Sequence, residues 1–245
     1  CISSSIVQDL ERKSFMGMVS HLRRVMTPLS DSAKVRAPHS LHASTWGLMC
    51  PCETPDGAKI GIRKNLAVCT QITSHVSSRP ITSFLKKCKQ VIFPSTCGVT
   101  NIDGYTFILV NGRPTGCTKH SANLVKVLRL MKRNGVINIY TSIAWNVLQQ
   151  RISICTDSGR CCRPVFTITE QVCDAIEFVS NDWNTCVFGT KNNNMKVYEA
   201  EETYSSLIKT YTDVPLEESI TLLSTTAGCI EYIDADETEN TLISM

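Results

Sequence analysis

Residues 46–57 read WGLMCPCETPDG, and residues 61–66 read GIRKNL. Pro51 and Pro55 fix their own backbone and disfavour helix at the residue before them, so the first of these stretches cannot continue as a helix. Two more X–Pro pairs interrupt the chain upstream in the same way. The region is therefore predicted to be organised by turns and tertiary contacts, the kind of backbone on which binding residues concentrate.

Outward from this region, the first 75 residues show few regular elements. The sequence predicts a helix near Ser14–Val25, before the first of the prolines. Apolar residues between Ile60 and Thr73 predict a buried strand. The rest of residues 1–75 is predicted to be irregular.

Residues 76–165 carry clearer signals of regular structure. The alternating stretch Tyr105–Val110 runs into Asn111-Gly112, which is the strongest short-range signal for a β-hairpin. Pro114 has no backbone N–H to donate, so the returning strand is predicted to lie at a sheet edge.

A helix is predicted to follow this hairpin. Ser121 is its expected N-cap, and Gly135 is its expected stop. Four apolar residues recur at helical spacing and are expected to form a core face: Leu124, Val127, Leu128 and Met131. Four basic residues are expected elsewhere on the same helix: Lys126, Arg129, Lys132 and Arg133.

The remaining segments predict further short elements. Ile152–Thr156 and Cys162–Ile168 are predicted to form a second hairpin, joined by residues 157–160. Leu207–Tyr211 and Ile230–Ile233 are candidate strands. The three asparagines at 192–194 indicate a turn or exposed loop, and an acidic run covers 234–239. Helices and short strands in this mixture predict an α+β fold.

Charge is distributed unevenly along the chain. Residues 1–70 carry nine Lys/Arg and five Asp/Glu, residues 71–165 carry thirteen and two, and residues 166–245 carry three and fifteen, so the net charges are +4, +11 and −12. Basic surface concentrates polyanions and acidic surface repels them. A nucleic-acid partner is therefore expected to meet the first two segments and avoid the third. The alternative is that the split reflects solvated faces alone.

Composition excludes several classes of protein. Hydrophobic residues make up 42% and charged residues 19% of the chain, so a core can form. No run approaches the roughly 18 apolar residues of a membrane helix. No charged-then-apolar leader begins the sequence, so secretion is not expected.

Thirteen cysteines are scattered along the chain. Without a secretion signal, they are interpreted as reduced thiols that pack as small hydrophobes. A zinc site is the alternative, but zinc-binding cysteines usually occur as pairs two to four residues apart. The close pairs Cys50/Cys52 and Cys161/Cys162 lack that spacing, and no C-x-x-C occurs, so no metal ligand is assigned.

Two small groups of charged residues are candidates for chemistry. Glu53 and Asp56 are open to three interpretations: a general acid and base, metal ligands, or acceptors that fix a loop. Arg23 and Arg24 stand at a predicted helix end, where cations interact favourably with the helix dipole. The sequence has no phosphate-binding glycine loop, no G-x-S-x-G and no cysteine–histidine signature, so no catalytic residue is assigned.

Three motifs of the first segment stand in a characteristic order. Residues 20–28 read SHLRRVMTP, residues 41–57 read LHASTWGLMCPCETPDG, and residues 61–66 read GIRKNL. They resemble the fork region of the second-largest subunit of multisubunit DNA-directed RNA polymerases, whose patterns are roughly S-H-L-R-R-x-x-x-P, L-H-x-x-x-W-G-x-x-C-P-x-E-T-P-E-G and G-L-x-K-N-L. Trp46, Cys50 and His42 resemble the eukaryotic, archaeal and viral branch of that family.

The resemblance continues over almost the whole chain and is thinnest across 169–226. FILVNG at 107–112, LMKRNG at 130–135, TDSGR at 156–160 and IEYIDADE at 230–237 resemble the family's V-x-V-N-G, L-R-x-x-R-R-x-G, T-D-x-G-R and V-E-Y-I-D-x-E-E. It implies a multi-domain fragment with an irregular fork region over 1–75. Two small β-rich mixed external domains are implied over 76–165 and 166–245.

The resemblance also implies a function. The chain is expected to be an internal fragment that contributes to template-directed RNA synthesis by contacting DNA and the RNA–DNA hybrid near the active centre, and to be inactive alone. Four residues are then nucleic-acid contacts, and two carboxylates order a loop: Arg23, Arg24, His42 and Lys64, and Glu53 and Asp56. Contacts of this basic kind hold phosphates and carry no sequence information.

Cofactor, partners and location follow from the same resemblance. Mg²⁺ of the complete enzyme is expected to be held mainly by the largest subunit, and none by this chain. The expected partners are the largest and other polymerase subunits, template DNA, nascent RNA and ribonucleoside triphosphates, with no membrane. The expected location is the nucleus, or the cytoplasm or virion for a viral protein.

Three departures from the family pattern point to a divergent lineage. Asp56 stands where the family usually has Glu, and His39 stands where relatives commonly carry Arg; His is mostly neutral at pH 7. The loop Leu29–Arg36 lacks the glycines of cellular relatives.

A standalone nucleic-acid-binding or interaction module is the alternative function.

Overall fold

The computed structural model describes residues 7–27, 29, 35–93, 104–168 and 182–244. The chain forms two compact units, Cys1–Gln71 and Ile72–Met245, called here the first and second unit. Helices combine with small mixed and antiparallel sheets, which confirms the α+β class. The three-domain division at 75 and 165 stays a prediction. The loop Leu29–Arg36 lies largely outside the described residues.

The first unit is built from one helix and a two-stranded ribbon. Helix α1 (Phe15–Leu22) begins after Ser14, whose Oγ accepts a hydrogen bond from the Gly17 N–H at 3.0 Å. Strand β1 (Arg24–Met26) follows almost at once and pairs antiparallel with β2 (Arg63–Asn65). The helix expected over 14–25 is therefore confirmed in place but shorter, since its last residues enter the ribbon.

The long strand predicted between Ile60 and Thr73 was wrong. Extended backbone is confined to β2 and to the short β3 (Gln71–Ile72) at the boundary of the two units. Between them the chain turns, because the Thr70 N–H donates to the Ala67 carbonyl at 3.0 Å. Before β2, Gly61 has φ +73°, and a Cβ there would lie 2.7 Å from the His39 carbonyl oxygen. A glycine is required at this close approach.

The second unit contains most of the regular structure. In chain order its elements are α2 (Arg79–Lys87), β4 (Thr106–Val110), β5 (Arg113–Thr118), α3 (Ser121–Arg133), β6 (Ser142–Asn146), β7 (Arg151–Cys155), β8 (Cys161–Phe166), α4 (Trp183–Phe188), α5 (Glu201–Lys209), α6 (Leu216–Ser224), β9 (Ile230–Asp234) and α7 (Ala235–Glu239). A four-stranded sheet has the order β5-β4-β7-β6, with β4 and β7 parallel. No helix of the described residues is long and apolar enough to cross a membrane.

The first predicted hairpin is confirmed. Strands β4 and β5 pair antiparallel on either side of Asn111-Gly112, both of which adopt positive φ. Strand β5, which contains Pro114, is an edge strand of the four-stranded sheet, as expected.

The second predicted hairpin was wrong. Strand β7 lies inside the four-stranded sheet, whereas β8 pairs antiparallel with β9, with Cys162 opposite Asp234. The linking residues are held by other elements: the Gly159 N–H donates to the Thr73 carbonyl at 2.9 Å, and the Arg160 guanidinium donates to Asp234 at 2.8 Å. These long-range bonds direct β8 away from β7.

Helix α3 forms the centre of the main core. The four apolar residues predicted for its core face are all fully buried. They pack with residues of α2, the four-stranded sheet, α5 and α6. The N-cap is His120 and not Ser121, which is the first helical residue, while Gly135 follows the helix with φ +65° as expected. Of the four basic residues expected outside this core face, Lys132 is nevertheless 1% exposed.

The last third is more helical than predicted. Residues 207–211 are not a strand: 207–209 belong to α5, where Tyr204 and Ile208 are buried one turn apart. The strand expected at Ile230–Ile233 is confirmed as β9, and 192–194 lie in a turn. Helix α7 carries part of the acidic run and begins with a capping box between Asp234 and Glu237.

Candidate nucleic-acid interface

The β1–β2 ribbon of the first unit separates its charged side chains onto two faces. Arg24 is directly opposite Asn65, Met26 is opposite Arg63, and Val25 is opposite Lys64. Side chains alternate between faces along a strand. Arg24, Asn65 and Arg63 therefore share one face, and Lys64 lies on the other.

The face that carries Arg24 borders a cleft of about 520 Å³. Its lining consists of Arg24, Cys52, Glu53, Thr54, Pro55, Arg63 and Asn65. Both arginines are partly buried. Within the described ranges, neither guanidinium has a hydrogen-bond or ion-pair partner. The cleft thus presents two cations that are not paired with any described residue.

The wall of the cleft is tied to the ribbon by side-chain hydrogen bonds. Thr54 Oγ1 donates to the Arg63 carbonyl at 3.0 Å and accepts from the Gly61 N–H at 2.9 Å. Asn65 Nδ2 donates to the Glu53 carbonyl at 3.0 Å, and a Glu53 carboxylate oxygen accepts from the Ser20 hydroxyl. The Glu-Thr-Pro segment is therefore fixed through the Glu53 carbonyl, the Thr54 hydroxyl and the Glu53 carboxylate.

Asn65 has an unusual position in this arrangement. It is 5% exposed, and its Oδ1 has no hydrogen-bond partner in the part of the chain that the structure describes. A buried amide oxygen without a donor costs free energy. The cleft therefore contains a buried acceptor beside two cations.

Arg23 differs from its neighbour Arg24. Its guanidinium donates to the Ala67 carbonyl at 2.6 Å and to the Thr70 carbonyl at 3.1 Å. These bonds hold the turn that follows β2 against the end of α1. Arg23 does not line the cleft.

Two histidines of the first unit, His39 and His42, make local contacts. His42 caps a 3₁₀ turn at Ala43–Thr45, where its Nδ1 accepts from the Ser44 N–H at 3.2 Å. His39 Nδ1 lies 2.7 Å from the Ile60 carbonyl oxygen, so this nitrogen is the protonated one. Asp56 is exposed at the start of another 3₁₀ turn, Gly57–Lys59, which its side chain does not cap.

Of the six predicted site residues, the cleft brings together two, Arg24 and Glu53. Four lie elsewhere in the first unit: Arg23, His42, Asp56 and Lys64. Sequence reasoning missed Arg63 and Asn65. The available signal for these two residues was the alternation of side chains along GIRKNL. This alternation shows which residues share a face with Arg24 only when the register of β2 against β1 is known.

A second group of charges lies in the second unit, where it is buried and paired. Lys132 Nζ donates to both carboxylate oxygens of Glu237, at 3.0 and 3.1 Å, and lies 3.5 Å from Glu231. Arg133 Nε donates to Glu231 at 2.8 Å, completing a pair of cations against two carboxylates. The Arg160–Asp234 pair lies near them. Asp234 is the last residue of β9 and the N-cap of α7.

The pKa values of these carboxyls follow their surroundings. Burial acts to raise the pKa of Glu231, but Lys132 and Arg133 outweigh it and hold that pKa below its ordinary value. The pKa of Asp234 is likewise lowered, because hydrogen bonds from the Glu237 N–H and Arg160 outweigh burial. Complete burial raises the pKa of Glu237 despite Lys132. Some basic residues of the segment 71–165 are thus paired with acidic residues of the segment 166–245 inside the second unit.

Two family models match the chain. RNA polymerase Rpb2, domain 3, matches residues 8–72, and RNA polymerase Rpb2, domain 4, matches residues 108–169, together just over half of the sequence. The DNA-directed RNA polymerase II subunit 2 of Arabidopsis thaliana is 32% identical over 246 residues, or 99% of this chain. The chain belongs to the RNA polymerase Rpb2 family. This confirms the resemblance found in the motifs.

Other members of the Rpb2 family match over the same extent. The RNA polymerase II subunit RPB2 of Encephalitozoon cuniculi is 30% identical over 242 residues. The archaeal subunit Rpo2 of Saccharolobus shibatae is 28% identical over 252 residues. The chain spans 18% to 20% of the length of these relatives. The stretch 8–72, which contains the cleft, is the part matched by domain 3.

The described residues contain no group of side chains arranged to bind a metal ion. Among them, no three His, Cys, Asp or Glu side chains are grouped so as to hold an ion. Glu53 and Asp56 therefore have no third ligand beside them among the residues that the structure describes.

Proposed function

We propose that this chain contributes to template-directed RNA synthesis as part of the second-largest subunit of a DNA-directed RNA polymerase. In this role the first unit contacts DNA and the RNA–DNA hybrid near the active centre. The observation that carries the proposal is the cleft of the first unit, where the partly buried Arg24 has no partner among the described residues. Phosphates of a nucleic-acid backbone are the anions that such a side chain binds.

Under this proposal the six predicted site residues have different roles. Arg24 contacts phosphate directly, and Glu53 orders the wall of the cleft through Ser20. Arg23 positions the ribbon through two backbone carbonyls. Lys64, on the other ribbon face, contacts a different phosphate. His42 and Asp56 shape the loops on either side of the Trp-Gly motif.

The chemistry of nucleotide addition is proposed to reside outside this chain. Mg²⁺ supplies charge neutralisation for phosphoryl transfer in the complete enzyme and is held mainly by the largest subunit. The proposed partners are that subunit and the other polymerase subunits, template DNA, nascent RNA and ribonucleoside triphosphates. The proposed location is the nucleus, or the cytoplasm or virion if the protein is viral.

A salt titration tests the nucleic-acid contact. The 245-residue chain is titrated with a fluorescent RNA–DNA hybrid at several salt concentrations. The logarithm of the association constant should fall linearly with the logarithm of the salt concentration, and Arg24→Gln should reduce this slope by about one phosphate contact. Arg12→Gln, which removes the same charge from an exposed position outside the cleft, is the control. Equal effects of the two variants contradict the proposed contact.

An incorporation assay tests the assignment of catalysis. The isolated chain is incubated with a primed template, Mg²⁺ and ribonucleoside triphosphates, and no template-dependent extension is expected. Extension by the chain, after removal of contaminating polymerase, refutes the assignment.

A further inference from the structure

We propose that Arg24 and Arg63 act together as one binding site for a phosphodiester of RNA, with Asn65 as the acceptor for the ribose 2′-hydroxyl. The proposal deepens the function given above and rests on it for the source of the phosphate. Arg63 occupies the variable position of the G-L-x-K-N-L pattern, so the motif gives this residue no role.

The ladder geometry places the two arginines within reach of one anion. Arg24 pairs with Asn65, and Arg63 is two residues from Asn65 on the same strand and the same face. Diagonal neighbours of this kind have Cα atoms about 7–8 Å apart, a separation that long side chains span easily. Both side chains line the same cleft.

The electrostatics of the cleft favour an anion between them. Two guanidiniums that share a partly buried cleft repel one another, and a phosphate relieves that repulsion while accepting hydrogen bonds from both. Glu53 is the one carboxylate among the described lining residues, and its oxygen accepts a hydrogen bond from the Ser20 hydroxyl. The described lining residues therefore carry one net positive charge, and their two cations have no partner in the part of the chain that the structure describes.

Asn65 determines which sugar the site prefers. Its Nδ2 is held by the Glu53 carbonyl, so the amide is fixed in orientation, and its buried Oδ1 needs a donor. A ribose 2′-hydroxyl is such a donor, and a deoxyribose lacks it. A ligand that satisfies this acceptor recovers the free energy lost by leaving it unpaired. The site should therefore bind an RNA phosphodiester more tightly than the matching DNA.

Nuclear magnetic resonance of the arginine side chains tests the site directly. The Nε–Hε signals of Arg24 and Arg63 are assigned by substitution and followed while the 245-residue chain is titrated with UpU or dUpdU, which differ in their 2′-hydroxyls alone. Both signals should shift with a single dissociation constant. The constant for UpU should be about threefold to tenfold lower than for dUpdU.

Variants separate one shared site from two independent contacts. Arg63→Gln should weaken UpU binding, followed at Arg24, about tenfold, as expected for loss of charge-assisted hydrogen bonds. Arg63→Lys should recover part of that loss, because it restores the charge but not the planar fork. Arg12→Gln should change the affinity little. Retained backbone chemical shifts establish that each variant is folded.

Three results overturn the proposal. Different dissociation constants at the two arginines, or an Arg63→Gln effect no larger than that of Arg12→Gln, exclude a shared site. Equal affinity for UpU and dUpdU excludes the role of Asn65. Dinucleotide binding at both arginines without binding of an RNA–DNA hybrid refutes the polymerase function while leaving the site intact; hybrid binding that is insensitive to Arg63 refutes the site alone.

Discussion

Basic residues of the two units are used in opposite ways. In the second unit, Lys132 is buried against Glu237 and Glu231, so its charge is neutralised within the fold. In the first unit, Arg24 and Arg63 face a cleft and have no ion-pair partner among the described residues. All three residues are cations, and whether a carboxylate pairs with them decides whether they stabilise the fold or are available to a ligand.

The two arrangements differ in what a substitution removes. A buried pair that loses one member leaves an uncompensated charge in a medium that cannot solvate it, so the loss is large. A cation without an internal partner contributes little to stability, and its loss is felt when an anion binds. The comparison can therefore be tested by measuring stability and binding on matched variants.

The largest effect is expected from Lys132→Ala. It leaves Glu237 buried without its cation and removes a stem packed in the core, so the free energy of unfolding of the second unit should fall by about 3–5 kcal/mol. Urea denaturation followed by circular dichroism measures the change. Lys126→Ala, on an exposed position of the same helix, should stay within about 0.5 kcal/mol. Similar losses for the two lysines would show that the buried pairing is not what stabilises this unit.

A smaller loss is expected from Arg160→Ala. The guanidinium donates to Asp234 at 2.8 Å, to the Tyr140 carbonyl at 2.9 Å and to the Asp157 carbonyl at 3.0 Å. It is partly exposed, so water compensates some of the loss, and a decrease of about 2 kcal/mol is expected in urea denaturation. Arg160→Lys keeps the charge but not the fork and should recover a minor part. Full recovery by lysine would contradict the importance of the three separate bonds.

Acidification should weaken the second unit in a defined window. The pKa values of Glu231 and Asp234 are lowered in the folded chain, so their stabilisation is present above the unfolded-state values and is lost as pH falls below about 4. The pKa of Glu237 is raised by burial and acts in the opposite sense, because a raised pKa gives stability that is present at low pH and is lost as pH rises. Urea midpoints between pH 3 and 6 measure the effect. Asp234→Asn should flatten the dependence; an unchanged slope would assign it to other groups.

The smallest effects are expected in the first unit, where two neighbouring arginines should differ. Arg23→Gln removes hydrogen bonds to two carbonyls and should lower local stability by about 1 kcal/mol. Arg24→Gln should change it by less than about 0.5 kcal/mol. Hydrogen exchange of peptides from residues 7–71, followed by mass spectrometry, reports on this unit. A reversed order would place Arg24, and not Arg23, among the structural arginines.

The predictions from sequence were correct for features set by local interactions and wrong for features set by contacts between distant parts of the chain. The hairpin at Asn111-Gly112 and the core face of α3 were predicted correctly, because turn chemistry and helical spacing are local properties. The separation of β7 from β8 was missed, because β8 pairs with β9 instead. In that pairing Cys162 lies opposite Asp234, which is 72 residues further along the chain. Lys132 has the pattern of a solvated residue, and its burial depends on Glu237 far along the chain.

The candidate site shows the same limit. The family motif drew attention to Arg23 and Arg24 equally, but Arg23 ends α1 and donates to two backbone carbonyls, whereas Arg24 begins β1 and borders the cleft. Arg63 carries no motif signal, because its position in the pattern is variable. Its proximity to Arg24 is a property of strand register, which the sequence of either strand alone does not specify.

The spacing of the buried charges also sets an order of events during protein synthesis. Lys132 leaves the ribosome 105 residues before Glu237, and Arg133 leaves 98 residues before Glu231. A nascent chain that has reached residue 165 holds these cations but none of their carboxylates, so α3 cannot yet be buried as in the finished unit. Pairing over such separations is slow and exposes apolar surface meanwhile. The ribbon, the wall of its cleft and the carbonyls bound by Arg23 need only residues 20–70, so they can be in place while the second unit still lacks its last strand.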